Sequence, residues 1–267
     1  PIPMRNYTNS FVRLPAENKD YQWLGYRKLN ETPYMLNPKN GWVATCNNQI
    51  VSDNWKYDIP GFYDPYRIIR ITELLKSKKK FDVNDFQKYQ MDRISGKAIQ
   101  WKRLMLSGAK ALNDASLVKQ IKSWDGSVKA ESKTGGLFEL WMQFLTEEIF
   151  EDNLGNNWQT ANLIMDKFLT NPISAIVDNN KTIGKVETLV DNSAAALEKA
   201  KMILKNRTYG DICSLTIVHP LAQVKILNYW LNLNRGPFVN GGDAGSLNSN
   251  FIHFNKNMRQ RILLFYF

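Results

Sequence analysis

Histidine and cysteine are scarce in this 267-residue sequence, and their scarcity excludes several kinds of site. The histidines are His219 and His253, and the cysteines are Cys46 and Cys213. Two cysteines without metal-ligand spacing give neither a zinc site nor a disulfide framework. The sequence does not decide whether the two form a single disulfide. Two histidines do not supply a catalytic triad together with a metal site, and His219, which precedes a proline, is interpreted as a hydrogen-bonded structural residue.

Long apolar runs and nucleotide-binding loops are also missing. No apolar run approaches the roughly 20 residues that a membrane-spanning helix needs, and residues 1–5 do not resemble a signal peptide. The glycine-rich stretch 241–245 lacks the Lys-Ser/Thr ending of a phosphate-binding loop. We therefore expect no membrane span and no required cofactor. The start at Pro1, in proline-rich sequence, suggests a piece of something longer.

The composition that is present is that of a globular protein. Hydrophobic residues make up 43% of the chain and charged residues 22%, with a formal net charge of +10. The lysines are dispersed, and their densest run, 76–80, lies between two helix signals, so nucleic acid is not a predicted partner. A basic nucleic-acid binder remains an alternative explanation of the charge, and steep weakening of binding by salt would identify it.

Periodicity predicts a helical middle between two strand-containing ends. Residues 1–60 carry prolines, aromatics and turn signals in short runs, which is typical of short strands and loops. Asp64-Pro65 predicts a helix start that runs to about Lys76, and Asp82 begins a long or broken helix interrupted at Gly96. Further helices are predicted at 115–124, 136–150, 157–169 and 192–206, followed by a strand at 214–218.

The stretch GWVATCNNQIVSDN, residues 41–54, contains an apolar run over 42–46, predicted as a strand, that stops at two adjacent asparagines. No glycine follows to make a simple turn. From the residues alone, Asn47 and Asn48 favour a strand-ending cap, because asparagine hydrogen-bonds readily to nearby backbone.

The order of several short motifs resembles the middle of the large chain of penicillin acylases, which are N-terminal nucleophile hydrolases. The resemblance covers residues 1–248 and rests on the succession of motifs rather than on any single one. In chain order they are Trp23-Leu24-Gly25-Tyr26, the Asn47-Asn48 pair, the helix start at 63–75, the segment 81–95 with its Gln-x-Asp-x-x-Ser pattern, Trp124-Asp125-Gly126, His219-Pro220-Leu221, Gly236-Pro237-Phe238 and Gly242-Asp243.

The fold that this resemblance implies is α+β, a partial αββα N-terminal nucleophile hydrolase sandwich with a large helical lobe. Residues 1–62 would form the strand-rich part of the hydrolase core, 63–206 the helical lobe, and 207–250 a return to the core. Residues 251–267 form an atypical tail that does not resemble the family.

The implied activity is hydrolysis of an acyl group from a linear amide, such as a penicillin side chain or an acyl-homoserine lactone. In the family, an N-terminal Ser attacks the carbonyl and its own α-amino group is the base. Asn47 falls at the family's oxyanion asparagine, whose neutral amide donates without a proton that could be lost. Arg67 falls at an arginine that orients the nucleophile's surroundings, with a surface helix residue as the alternative.

The resemblance also places Asp58 near a carboxylate that binds a structural calcium, although a turn-forming aspartate is the alternative. This sequence contains neither the small chain nor the N-terminal Ser, so the expected partners are that small chain, the Ser-bearing part of the large chain and an acyl-amide small molecule. The chain by itself is expected to be inactive. A truncated noncatalytic fragment or a helical interaction module is the alternative.

Cellular location stays open in the sequence. Members of the family are commonly exported, which favours an extracytoplasmic placement. Asn-x-Ser/Thr acceptor patterns begin at Asn6, Asn30, Asn180 and Asn206. Such patterns arise by chance in a chain rich in asparagine, so they add little to the family argument.

Overall fold

The computed structural model describes residues 2–5, 13–52, 54–57, 59, 61, 64–179, 182 and 184–250. The chain divides into two compact units, Pro1–Lys79 and Lys80–Phe267. Helices and two small antiparallel sheets make it an α+β protein, as the sequence predicts.

The first unit contains little regular structure before its single long helix in the described ranges. Strand β1 (Pro3–Met4) pairs antiparallel with β2 (Gly25–Tyr26), with Pro3 opposite Tyr26. The helix α1 (Tyr66–Lys76) follows a long stretch of turns. In the part of the chain between β2 and α1, the Arg27 guanidinium lies 3.9 Å from the centre of the Tyr57 ring, and the Tyr57 hydroxyl donates to the Glu31 carbonyl at 2.9 Å.

The predicted strand at 42–46 is not a strand in the structure. Trp42, Ala44, Cys46 and Asn48 are half-buried, while Val43, Thr45 and Asn47 between them are exposed, which is the two-residue alternation of an extended segment. No other described segment forms a ladder of backbone hydrogen bonds with it. The prediction was wrong because periodicity reports an extended chain with one covered side, whereas a strand also requires a paired neighbour.

The second unit is mainly helical. Its helices, in chain order, are α2 (Val83–Gln90), α3 (Gly96–Ala111), α4 (Ala115–Ser123), α5 (Lys133–Leu154), α6 (Met165–Thr170), α7 (Ser174–Val177), α8 (Leu189–Leu204), α9 (Tyr209–Ile212) and α10 (Lys225–Leu231). Strand β3 (Ser214–Ile217) pairs antiparallel with β4 (Arg235–Val239), with Ser214 opposite Val239.

Short polar residues fix where the main helices begin. The side chains of Asp82, Ser95, Asp114, Ser132 and Thr188 each accept a backbone N–H from the first turn of the helix that follows. Each of these hydrogen bonds satisfies one of the donors that a helix start leaves without an intrahelical partner. The breaks that sequence signals predict at 82 and near 96 are therefore confirmed.

Helix α5 forms the centre of the second unit. Its 22 residues are apolar on most sides, and Phe138, Leu140, Trp141 and Leu145 are almost completely buried. A helix that is apolar on most sides must be covered by neighbours, and α8 together with the following segment 155–163 supplies much of that cover. The Trp141 Nε1–H donates to the Ser193 carbonyl and hydroxyl of α8 at 3.2 and 3.1 Å, so its buried polar atom is satisfied.

One segment that was predicted as an α-helix is partly a 3₁₀ helix in the structure. Residues 157–169 were predicted as a single helix, whereas the structure has a 3₁₀ segment, Gly155–Leu163, followed by α6. Asn156, Asn157 and Asn162 are poor helix formers whose side chains compete for backbone hydrogen bonds. The apolar spacing was correct, but the tighter 3₁₀ winding was missed. Within the described ranges, every helix is too short or too polar to cross a lipid bilayer.

Candidate active site

Arg67 lies in the first turn of α1, at a helix start that is fixed by its neighbours. The Asp64 carboxylate accepts the Tyr66 N–H at 3.2 Å, and the Tyr66 side chain is buried. These two contacts hold the first turn in place. Arg67 follows directly and is half-buried, so its guanidinium extends from a rigid base rather than from a frayed helix end.

Asn47 has an unusual backbone conformation. Its φ angle is +58°, in the left-handed region, which asparagine tolerates better than other residues except glycine. The chain bends at Cys46 and Asn47 after the extended segment, and the Asn47 side chain is exposed. The asparagine therefore forms the tip of a turn and presents its amide outward.

The two predicted site residues meet in the structure. Arg67 Nη2 donates a hydrogen bond to Asn47 Oδ1 at 3.0 Å, across 20 residues of sequence. Because a guanidinium can only donate, it must face the oxygen of the amide, and the amide nitrogen is directed elsewhere. In this Asn47/Arg67 pair, the Asn47 amide is a neutral donor, and the charged Arg67 guanidinium sets its orientation. Whether it stabilises an oxyanion remains a prediction.

Arg67 keeps donor capacity beyond this contact. Its Nε is buried and has no hydrogen-bond acceptor among the residues that the structure describes. A buried N–H without an acceptor is unfavourable by about 1–3 kcal/mol. The guanidinium is consequently suited to bind one further acceptor.

Cys46 precedes the pair and could be mistaken for a nucleophile. Burial raises the pKa of its thiol above 9.0, and the nearby positive charge of Arg67 only partly offsets this effect. The thiol is therefore neutral at pH 7, and a neutral thiol is a poor nucleophile. Cys46 and Cys213 are not joined by a disulfide in the structure.

The interpretation of the two asparagines as residues that hydrogen-bond to nearby backbone applies to Asn48, although no strand ends there. Its Oδ1 accepts the Cys46 N–H at 3.0 Å, and its Nδ2 donates to the Gln49 carbonyl at 2.8 Å. Both ends of this second amide are engaged with the backbone around Asn47. The available signal was the preference of asparagine for backbone contacts two residues away.

The remaining predicted residues lie elsewhere. Asp58 falls outside the described residues. Among those that are described, no group of three or more His, Cys, Asp or Glu side chains is arranged to hold a metal ion. His219 Nδ1 accepts the Leu221 N–H at 3.1 Å and so caps a 3₁₀ turn, in agreement with its interpretation as a structural residue.

A buried polar cluster in the second unit was also not predicted. Ser95 Oγ donates to Asp243 Oδ2 at 2.5 Å, and the Gly245 N–H donates to Asp243 Oδ1 at 3.1 Å. Burial raises the pKa of Asp243, while these hydrogen bonds and the Lys97 charge oppose the rise. The hydrogen bonds of the Asp243 side chain lie within the 241–250 loop or reach Ser95 at the start of α3, so the cluster is structural.

Comparison with known proteins gives matches to one family. The model of the penicillin amidase family matches residues 1–263. An acyl-homoserine lactone acylase, QuiP, of Pseudomonas fluorescens is 26% identical over 93% of this chain and 34% of its own length. A penicillin acylase 2 proenzyme of Pseudomonas sp. is 25% identical over 91% of this chain and 33% of its own length.

The chain thus spans about a third of the length of the curated relatives that it matches. The family match, in contrast, extends over nearly the whole of this chain and includes both members of the Asn47/Arg67 pair. The chain belongs to the penicillin amidase family.

Proposed function

We propose that this chain contributes the oxyanion-stabilising part of an acylase that hydrolyses linear amides. The observation that carries the proposal is the hydrogen bond from Arg67 to Asn47 Oδ1. Two residues chosen by the order of family motifs, 20 positions apart, meet with the geometry that an oriented amide donor needs. Family membership supports the reaction class.

Asn47 is the catalytic residue of this proposal and Arg67 its positioning residue. When a nucleophile attacks the substrate carbonyl, the C–O double bond opens and negative charge collects on the oxygen. The Asn47 Nδ2–H donates to that oxygen, and the Arg67 charge behind the amide strengthens the donor. Such a donor is effective because its orientation is fixed before the reaction begins.

The nucleophile comes from outside this chain. An N-terminal Ser on a preceding segment attacks, and its α-amino group takes the proton and later delivers it to the departing amine. A small chain completes the assembly.

The core fold is proposed on similar grounds. The alternating segment 42–48 has one half-buried and one exposed side but no paired neighbour in the described ranges. Placed beside the Ser-bearing segment, it would join an αββα sandwich together with parts of 207–250. The substrate is an acyl amide; the relatives' names mention penicillin and acyl-homoserine lactone, and the acyl group is left unassigned.

The test is turnover in the assembled acylase, meaning this chain expressed with the small chain and the Ser-bearing segment. With a chromogenic phenylacetyl or fatty-acyl amide, Asn47→Ala is expected to lower kcat by roughly 10²- to 10³-fold. Asn37→Ala is the matched control, because Asn37 is exposed and also left-handed, with φ of +47°. A kcat of Asn47→Ala within a few-fold of the parent would contradict the proposal.

A further inference from the structure

Asn48 differs from its neighbour in every structural respect. It is half-buried where Asn47 is exposed, and both atoms of its amide that can hydrogen-bond are used within the turn. Its Oδ1 reaches back to the N–H of Cys46, and its Nδ2 reaches forward to the carbonyl of Gln49. The side chain therefore connects the residue before Asn47 with the residue after itself.

Asn47, which lies between the Cys46 N–H and the Asn48 side chain, has an unfavourable left-handed backbone conformation. A left-handed residue other than glycine costs up to about 1–2 kcal/mol, and asparagine less than most. The hydrogen bond from the Cys46 N–H to Asn48 Oδ1 spans Asn47 and contributes about 0.5–1.5 kcal/mol, which is comparable with that cost, and the bond to the Gln49 carbonyl orients the Asn48 side chain. Alanine at this position would supply neither bond, and aspartate could supply only the acceptor.

The position of the turn also determines where the Asn47 amide lies. Rotation of Asn47 out of the left-handed region would move its side chain away from the Arg67 guanidinium, which is held by α1. A displacement of about 1 Å at a catalytic group can reduce turnover by about 10²-fold. The hydrogen bonds of Asn48 are consequently placed to control the geometry of the donor.

We propose that Asn48 is a positioning residue for the acylase reaction, which holds Asn47 in the left-handed conformation that brings its amide to Arg67. This inference rests on the proposed function of Asn47. It assigns separate tasks to the two adjacent asparagines: the first donates to the substrate, and the second fixes the backbone from which that donation is made.

The first arm of the test measures conformation in the full chain by NMR, with isotope-labelled asparagine. In Asn48→Ala, the Cα and Cβ shifts of Asn47 are expected to move away from left-handed values, whereas those of Asn37 stay unchanged. Asn40→Ala is the matched control, since Asn40 is exposed and lies in the same unit. Unchanged Asn47 shifts in Asn48→Ala would overturn the inference.

The second arm measures turnover in the assembled acylase. Asn48→Ala is expected to lower kcat about tenfold with KM little changed, and Asn48→Asp, which keeps the acceptor, to lie between it and the parent. Introduced together with Asn47→Ala, Asn48→Ala should cause almost no further loss, because it acts through Asn47.

The two proposals fail in different ways. If Asn47→Ala is impaired but Asn48→Ala turns over normally, the positioning role is wrong and the oxyanion proposal stands. If Asn47→Ala turns over normally, the oxyanion proposal is wrong, and the catalytic part of the Asn48 inference falls with it.

Discussion

Replacing Gly108 by alanine is expected to destabilise the second unit, although the same change usually favours a helix. Gly108 lies in α3 where that helix crosses α8. An added Cβ would lie 2.4 Å from the Ser193 Oγ, 2.8 Å from the Ser193 carbonyl carbon and 2.9 Å from the Ala194 backbone nitrogen. Two of these atoms are backbone, so α8 itself must shift.

The magnitude follows from what Ser193 does. Its hydroxyl donates to the Leu104 carbonyl at 3.1 Å and accepts the buried Trp141 Nε1–H. Overpacking costs about 1–3 kcal/mol, and weakening the hydrogen bond of a buried donor a further 1–3 kcal/mol. The higher helix propensity of alanine offsets this loss by about 1 kcal/mol. We expect a net loss of about 1–5 kcal/mol in the free energy of unfolding.

The assay is urea or thermal unfolding followed by helical circular dichroism. For a unit of this size, the expected loss corresponds to a fall in Tm of about 2–20 °C. Ser107→Ala is the control, because Ser107 precedes Gly108 in α3 and its hydroxyl only donates to the Arg103 carbonyl. A Gly108→Ala protein as stable as the parent would refute the close approach of α3 and α8.

Two further predictions concern acid stability and the behaviour of the chain alone. The hydrogen bond from Thr188, with further support from Lys185, lowers the pKa of Asp191 from 3.8 to about 2. Its stabilising effect is therefore present above pH 4 and is lost progressively as the pH falls from about 4 through 2 to about 1. Asp191→Asn should cost about 1 kcal/mol at pH 7, since the side chain is partly exposed, and little near pH 1; a constant difference in urea unfolding would contradict this. The chain by itself should not hydrolyse phenylacetyl or fatty-acyl amides, and measured hydrolysis would contradict this. It should also self-associate, because Tyr229, Trp230 and Leu231 are largely exposed, and a monomer in analytical sedimentation would contradict that expectation.

The long helices of the second unit could be predicted because their signals are local, whereas the short helices α7, α9 and α10 were not predicted. Ser95 and Thr188 are N-caps at the places where apolar periodicity begins, and both signals can be read within a few residues. The 3₁₀ segment Gly155–Leu163 could not be predicted from spacing, because its apolar residues recur at intervals that also fit an α-helix. The choice between the two windings depends on packing that sequence periodicity does not contain.

The candidate site could be predicted only through the order of motifs. Nothing local in the sequence connects Asn47 to Arg67, because their contact is made by the fold across 20 residues. The strand at 42–46 failed for a related reason, since pairing is also a non-local property. The structural role of Asn48 was within reach, because its contacts extend no further than two residues.

The coupling between Arg67 and Asn47 in catalysis tests the central claim most directly. Turnover by the assembled acylase would be measured for Asn47→Ala, Arg67→Ala and the double variant, with an acyl-amide substrate at saturation. If Arg67 acts by orienting the Asn47 amide, the double variant loses much less kcat than the product of the two single losses. Losses that multiply would show that the two residues act independently and would contradict the account.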